Sequence, residues 1–418
     1  MTQGSNAYGS NRLSDLVLIA GFLTILSYPA FALFETPEAL QAQCRVEKRT
    51  PSRRPTLWEL AATPSRFATD FKSFFDDQFA GRGRLVTLNS AIRYHAFNVA
   101  ASARVLIGRH GALFYAGEPL VPRHDFGHEA AKFRRVLHVT QRRLDRLRDL
   151  LVSRRDWAHE MGAEFFFVIA PDKSTIYPEL MPEWMNQLDE PSFTDCFVAH
   201  MRATSDVEII DLRPALERAK ASGKPLYYLR DTHWNYDGAL AGSREITRRL
   251  QEFSPAIKTL GADDVYRSPA SKPYHGDLSG MLHLESRLAE RSTPIFLKAP
   301  RARPITFPCD ATPVKSWTAP PQAFRVADAR LPKALVYHDS FMELMVRYLA
   351  ESFDTSIFIY DQRVVAGTVK GYKPDVVILE CVERNLYYLA YQTDDLLPTI
   401  EPALLAEAVV DRPTRTKR

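Results

Sequence analysis

The sequence predicts an α/β protein, a parallel sheet with helices on both faces, preceded by an N-terminal transmembrane helix. Three observations carry this. Five short apolar runs, Phe165 to Ile169, Val207 to Ile210, Ala334 to Tyr337, Ile357 to Tyr360 and Val376 to Leu379, are separated by helical stretches. Strands buried on both faces read as unbroken apolar runs, and their alternation with helices points to parallel crossovers. Residues 16–34, LVLIAGFLTILSYPAFALF, carry no charge, close to the roughly 20 apolar residues a helix needs to span a bilayer. Finally, 45% hydrophobic and 25% charged residues over 418 positions suit a globular chain with a sizeable core.

From the N-terminus, residues 1–12 read as a cytoplasmic start and 13–34 as a signal-anchor. Ala30-Phe31-Ala32 allows the alternative of a cleaved signal peptide. Either reading exports the rest. Residues 35–100 read as a linker, punctuated by Pro51, Pro55 and Pro64, and a leading helical segment. In it Phe67, Phe71, Phe74, Phe75 and Phe79 recur at helical spacing and read as core. Val105 to Gly108 and Ala112 to Tyr115 flank Arg109-His110-Gly111 as a hairpin. Residues 128–161 read as one long amphipathic helix, its arginines falling between Leu144, Leu147, Leu150 and Leu151. A domain over 101–395 holds the five strands, with a helix after each functional loop, and 396–418 reads as a tail.

Charge excludes one class of partner. Lys+Arg 54 against Asp+Glu 50 gives +4, too even for a nucleic-acid binder. The cysteines, Cys44, Cys196, Cys309 and Cys381, form no C-x-x-C pair, so a structural zinc site is not indicated and any disulfide pairing is left open. Cys381 follows an apolar run and reads as a buried free thiol.

Two segments carry chemistry: Arg230-Asp231-Thr232-His233-Trp234-Asn235 and Tyr337-His338-Asp339-Ser340-Phe341. Ser340 follows a buried strand and precedes a helix expected over 342–351, so its hydroxyl falls at the carboxyl edge of the sheet and its amide at a helix start. A serine hydroxyl needs a base, and His233 can supply it with Asp231 as its orienting carboxylate. Two residues apart in an extended loop, Asp231 and His233 can meet at their tips; in a helix they would diverge. The helix after them is expected to begin near Asn235. His338 and Asp339 offer a rival arrangement, ranked lower because sequence neighbours seldom form a linear relay. No H-E-x-x-H spacing suggests a metal. Trp234 could wall off water or stack on a sugar. By position, Lys173, Arg347, Arg384 and Asn385 are the remaining substrate-binding or oxyanion candidates.

On these residues the chain resembles the AlgJ/AlgX family of alginate O-acetyltransferases. The Asp-x-His-Trp motif is Asp231-Thr232-His233-Trp234, and the nucleophile motif ends in Asp339-Ser340-Phe341. Further matches are Phe75 to Phe79 with Arg82, Ile107-Gly108 through Leu113-Phe114-Tyr115, Pro171 to Glu179, His275-Gly276-Asp277-Leu278 and Glu380 to Leu386. The chain departs from the family at His338, where a small residue is usual, and at Ala112, where a Trp is usual. The resemblance implies an SGNH-hydrolase-like domain, no cofactor, and an acyl-serine on Ser340. It also implies acetyl supplied by a membrane-bound O-acyltransferase partner and passed to a polysaccharide hydroxyl in the periplasm, with the chain held at the inner membrane by its N-terminal helix. A polysaccharide acetyl-esterase on the same residues, or a non-catalytic polysaccharide-binding scaffold of an export complex, are the alternatives.

Overall fold

The computed structural model describes residues 12–31, 38, 40–41, 44, 50–79, 81–117, 128–136, 139–307, 319–364 and 371–389. Its chain divides into two compact units: residues 1–101 with 280–284, and residues 102–279 with 285–418. Cys309 and the expected tail over 396–418 lie outside the described residues.

The first unit is helical, with helices Arg12–Phe31, Leu57–Ala62, Pro64–Gln78 and Arg82–Phe97. The expected membrane span over 13–34 finds no support. Among the described residues no helix is long and apolar enough to cross a membrane. Thr24, Ser27, Tyr28 and Pro29 interrupt the uncharged run, which leaves its unbroken apolar part short of about 20 residues. The phenylalanine stripe is helical, but it is not a buried core. Phe67, Phe71, Phe75 and Phe79 stack ring on ring at 5.8–6.4 Å, while Phe74 alone among the five is buried.

The second unit is built on a seven-stranded sheet. In chain order its strands are β1 (Glu164–Ala170), β2 (Glu208–Asp211), β3 (Arg303–Ile305), β4 (Gln322–Arg325), β5 (Ala334–Tyr337), β6 (Thr355–Ile359) and β7 (Val376–Val382). Their order across the sheet is β2-β1-β7-β5-β6-β4-β3. The first five in that order run parallel, and they coincide with the five apolar runs. β4 and β3 extend the sheet antiparallel. That edge is invisible in the sequence because QAFR and RPI have neither length nor apolar alternation.

Successive side chains point to opposite faces of a strand, so each apolar run feeds two cores. Phe166, Val168 and Ala170 of β1, with Val376, Ile378 and Val382 of β7, pack on one face with Leu240, Ile246 and Leu250 of helix Tyr236–Phe253. Phe165, Phe167 and Ile169, with Val377, Leu379 and Cys381, pack on the other with Leu144, Leu147 and Leu151 of helix Gln141–Glu160 and Phe193 and Phe197 of helix Phe193–Thr204. Cys381 is buried and free, as are Cys44 (buried) and Cys196 (partly buried).

Two helices differ from expectation. Residues 128–161 form two helices, His128–Phe133 and Gln141–Glu160, not one. Arg135 adopts φ 60°, a left-handed conformation that ends the first helix. The Thr140 side chain accepts from the Arg143 amide and caps the second. Its arginines are not all solvated: Arg143 and Arg154 are fully buried, the former 4.0 Å over the Tyr387 ring. After β5, the helix is only Val346–Leu349, continued by a 3₁₀ turn at Ala350–Ser352. The hairpin is present, with Val105–Ile107 antiparallel to Leu113–Tyr115.

Candidate active site

Ser340 lies three residues past Tyr337, the end of β5, in the middle of the sheet, and is partly exposed. With the helix delayed to Val346, Ser340 sits in a turn rather than at a helix start. Asp339 shapes that turn: its Oδ1 accepts from the Phe341 amide at 3.0 Å, and its carbonyl accepts from the Met342 amide at 3.3 Å. Its Oδ2 accepts from the Val382 amide of β7 at 2.8 Å, and from Gln362 Nε2 and Asn385 Nδ2 at 3.2 Å each. Asp339 thus ties the nucleophile loop to the neighbouring strand. Its amide donates to Glu380, whose carboxyl burial, reinforced by the Asp339 charge, pushes well above the usual carboxylate range. His338 is buried, its Nδ1–H donating to the Asp339 carbonyl at 2.7 Å, and burial lowers its pKa. It therefore props the turn from below instead of acting on Ser340.

The base arrives from the loop between Tyr227 and Trp234, which close an antiparallel bridge. The Asn235 side chain then caps helix Tyr236–Phe253 through the Asp237 and Gly238 amides, so residues 231–233 stay outside the helix, as a bend rather than the expected extended loop, with the His233 amide donating to Asp231 Oδ1. Ser340 Oγ–H donates to His233 Nε2 at 2.8 Å, and His233 Nδ1–H donates to Asp231 Oδ1 at 2.7 Å. Asp231 is almost fully buried, while the His233 side chain keeps 24% exposure, so the row opens to solvent at the serine end. Burial alone would raise the Asp231 carboxyl, but the bond from His233, its charge and two amides hold it well below the usual range. For His233, burial works downward, and the bond to Asp231 and its charge outweigh it, raising the imidazole. Burial raises the Tyr360 phenol, and the nearby Ser340 hydroxyl partly offsets that rise.

Several supports were not legible in the sequence. Tyr274 OH and the Asp277 amide both donate to Asp231 Oδ2 at 2.8 Å. Asp277 takes the Thr232 amide at 2.9 Å and the Thr232 hydroxyl at 2.6 Å. Glu290 accepts from the Leu229 and Arg230 amides at 2.7 and 2.6 Å. Gly276 is required by closeness: a Cβ there would lie 2.2 Å from the Arg230 carbonyl oxygen. His275-Gly276-Asp277 was visible as a motif, but nothing in it announced contact with a residue over 40 positions away.

The other expected binding residues fall in varied places. Trp234 is fully buried, donating Nε1–H to the Phe341 carbonyl at 2.9 Å and packing edge-on against the Phe341 ring, so it cannot stack on a sugar. Lys173 is buried too. Its ammonium donates to the Tyr228, Leu229 and Asp231 carbonyls at 3.2, 3.2 and 2.6 Å, and burial pulls its pKa to about 8. It clamps the loop from the carbonyl side as Glu290 does from the amide side. Arg384 pairs with Asp172 at 2.8 Å and lies 4.9 Å over the Phe341 ring, beside the triad. Asn385 is engaged by Asp339. Arg347 is exposed and stacks on the Tyr236 ring at 5.1 Å, away from the triad contacts.

Asp231, His233 and Asp277 bring ligand-type atoms within 4.8 Å of one another. They do not fit a metal, because His233 Nδ1 and both Asp231 oxygens are engaged by hydrogen bonds. A cavity of about 530 Å³ includes Lys173, Tyr228 and Leu229 in its wall, but neither His233 nor Ser340. The candidate site is therefore marked by the hydrogen-bonded row and not by the cavity.

A strand-end serine hydrogen-bonded to a histidine that is itself hydrogen-bonded to an aspartate, on a parallel α/β sheet, is an arrangement found in serine hydrolases and acyltransferases. Residues 105–299 match the family model described as SGNH hydrolase-like domain, acetyltransferase AlgX. The probable alginate O-acetylase AlgJ of Pseudomonas fluorescens is 28% identical over 125 residues, 30% of this chain and 31% of that protein. That of Pseudomonas syringae pv. tomato is 23% identical over 237 residues, 57% and 56%. These alignments span about a third and about half of the relatives' lengths. Among solved structures, the O-acetyltransferase domain of Pseudomonas putida AlgJ shares 18% identity at TM-score 0.44, over 74% of this chain and 99% of that one. Bacillus cereus PatB1 shares 16% at TM-score 0.48, over 68% and 96%. Over these residues the chain is similar to AlgJ/AlgX-type, SGNH-like proteins.

Proposed function

We propose that this protein is a serine-dependent O-acetyltransferase that moves acetyl through an acyl-Ser340 intermediate onto a hydroxyl of an exopolysaccharide. The observation that carries the reading is the unbroken row Ser340 Oγ, His233 Nε2, His233 Nδ1, Asp231 Oδ1 at 2.8 and 2.7 Å. The bond from Nδ1 to Asp231 leaves Nε2 as the acceptor that a nucleophilic serine needs.

In the first half-reaction Ser340 Oγ attacks the acetyl carbonyl while Nε2 takes its proton. The tetrahedral adduct collapses, the donor's leaving group accepts that proton, and acetyl remains on Oγ. In the second, Nε2 takes the proton of an acceptor hydroxyl, whose oxygen attacks the acyl-serine. Collapse returns the proton to Ser340 and releases the acetylated acceptor. Asp231 stabilises the imidazolium in both. An alginate-like acceptor is supported by the names of the AlgJ relatives. Acetyl delivery by a membrane-bound acyltransferase, with transfer in the periplasm, follows from the family resemblance. With water as acceptor, the same steps make an esterase.

Intact mass after incubation with an activated acetyl ester tests this. Wild type is expected to gain one acetyl group on the peptide holding Ser340, and Ser340→Ala none. Adding an exopolysaccharide should then discharge the acetyl onto the polymer; discharge to water alone would make the protein an esterase. If wild type neither acquires acetyl nor turns over the ester faster than Ser340→Ala, the catalytic reading fails.

A further inference from the structure

Two of the four hydrogen bonds on the Asp231 carboxylate come from a segment remote in sequence. Oδ1 takes the His233 amide and Nδ1–H, both at 2.7 Å. Oδ2, the oxygen turned away from the imidazole, takes the Tyr274 hydroxyl and the Asp277 amide. Tyr274 ends the short strand Lys272–Tyr274, which pairs antiparallel with Glu290–Ser292. Its ring stacks on Tyr228 at 3.7 Å and 12°, and the Tyr228 hydroxyl is itself hydrogen-bonded to Ser292 at 2.6 Å. The phenol is thus held by a strand, a stacked ring and a carboxylate, with little freedom to turn away.

We infer that Tyr274 is a positioning residue of the triad: its hydroxyl fixes the Asp231 carboxylate and draws part of its charge away from His233. The inference rests on the acyl-serine reading. Hydrogen bonds to a carboxylate spread its charge and weaken it as a base toward its other partner. His233 is also faced by the Asp277 carboxylate, 3.8 Å from Nδ1, the Arg384 guanidinium and the Ser340 hydroxyl. Against that background the Tyr274 hydroxyl is the neutral donor that sets how strongly Asp231 holds the imidazole. Burial, and then the Asp231 charge, raise the phenol far above its ordinary value, so it stays a donor wherever the enzyme works.

Removing the hydroxyl leaves more charge on Asp231, so His233 stays protonated to higher pH and becomes available as a base later. In the full-length Tyr274→Phe protein the His233 imidazole, followed by NMR, is expected to titrate about 0.5–1 pH unit higher than in wild type. The acid limb of ester turnover should move up equally with KM unchanged. Phenylalanine keeps the stack on Tyr228, so a role in packing alone predicts an unmoved titration, and that result would overturn the inference. Site-specific 3,5-difluorotyrosine at 274, a stronger donor of the same shape, should move His233 downward. If Tyr274→Phe does not fold, that replacement decides alone, and an unmoved or raised His233 refutes the role. The NMR titration needs no turnover. A wild type without Ser340-dependent activity would therefore sink the acyl-serine reading, and the titration would still report on Tyr274.

Discussion

Asp231→Asn is the substitution for which the structure gives the sharpest expectation. Each carboxylate oxygen receives a backbone amide: Oδ1 that of His233 at 2.7 Å, Oδ2 that of Asp277 at 2.8 Å. An asparagine must place its NH₂ on one side, and on either side it meets an N–H that cannot turn away. No flip of the amide resolves the clash. One buried donor is left unsatisfied, at a cost of about 1–3 kcal/mol in stability. Loss of the negative charge also removes the stabilisation of the imidazolium, so turnover should fall by about 10³–10⁴-fold. The stability difference has a signed pH dependence. His233 is raised above its ordinary 6.5, so its contribution is full below that value and is lost as pH rises through the folded value. Asp231 is depressed below its ordinary 3.8, so its contribution is present above that value and is lost as pH falls through the folded one. The gap between wild type and Asp231→Asn should therefore be widest between about pH 4 and 6.5 and narrow as pH rises through the raised value of folded His233. Urea unfolding across that range, with ester turnover on the same samples, measures both. Wild-type stability together with turnover within tenfold of wild type would refute the reading of the row as a working relay.

Two further substitutions probe how the loop is held. Gly276→Ala sets a methyl group 2.2 Å from the Arg230 carbonyl oxygen and 3.1 Å from the Asp231 Cβ. The backbone must shift, and we expect a loss of about 2–3 kcal/mol with turnover falling in step, read by urea unfolding and ester hydrolysis. Trp234→Phe removes the bond to the Phe341 carbonyl and leaves a void in a fully buried site. It should cost about 2–4 kcal/mol and lower kcat while leaving KM for the polymer unchanged, because no acceptor reaches the ring. A rise in KM alone would restore a sugar-stacking role.

The parallel part of the sheet and the meeting of the candidate residues were legible because their signals are local. Each central strand is buried on both faces and so announces itself as an apolar run, and Asp231, Thr232 and His233 are adjacent in sequence. Ser340 could be assigned to a strand end because β5 is four fully buried residues. What stayed hidden depends on distance along the chain. Tyr274 and Asp277 reach Asp231 across 43 and 46 positions, and Glu290 reaches Leu229 across 61. No composition or period marks such contacts. The errors over Trp234 and Lys173 share one cause. Both are residue types that bind sugars and anions when exposed, and sequence does not say which side of a loop is solvent. Here the loop carries its polar backbone inward, so the buried ammonium of Lys173 answers three of its carbonyls and Glu290 two of its amides. The same inward turn sets the Asp231 carboxylate among four donors. A site assembled this way spends its charged side chains on holding its own backbone, and leaves the imidazole edge and the serine hydroxyl as the groups of the row that stay partly exposed.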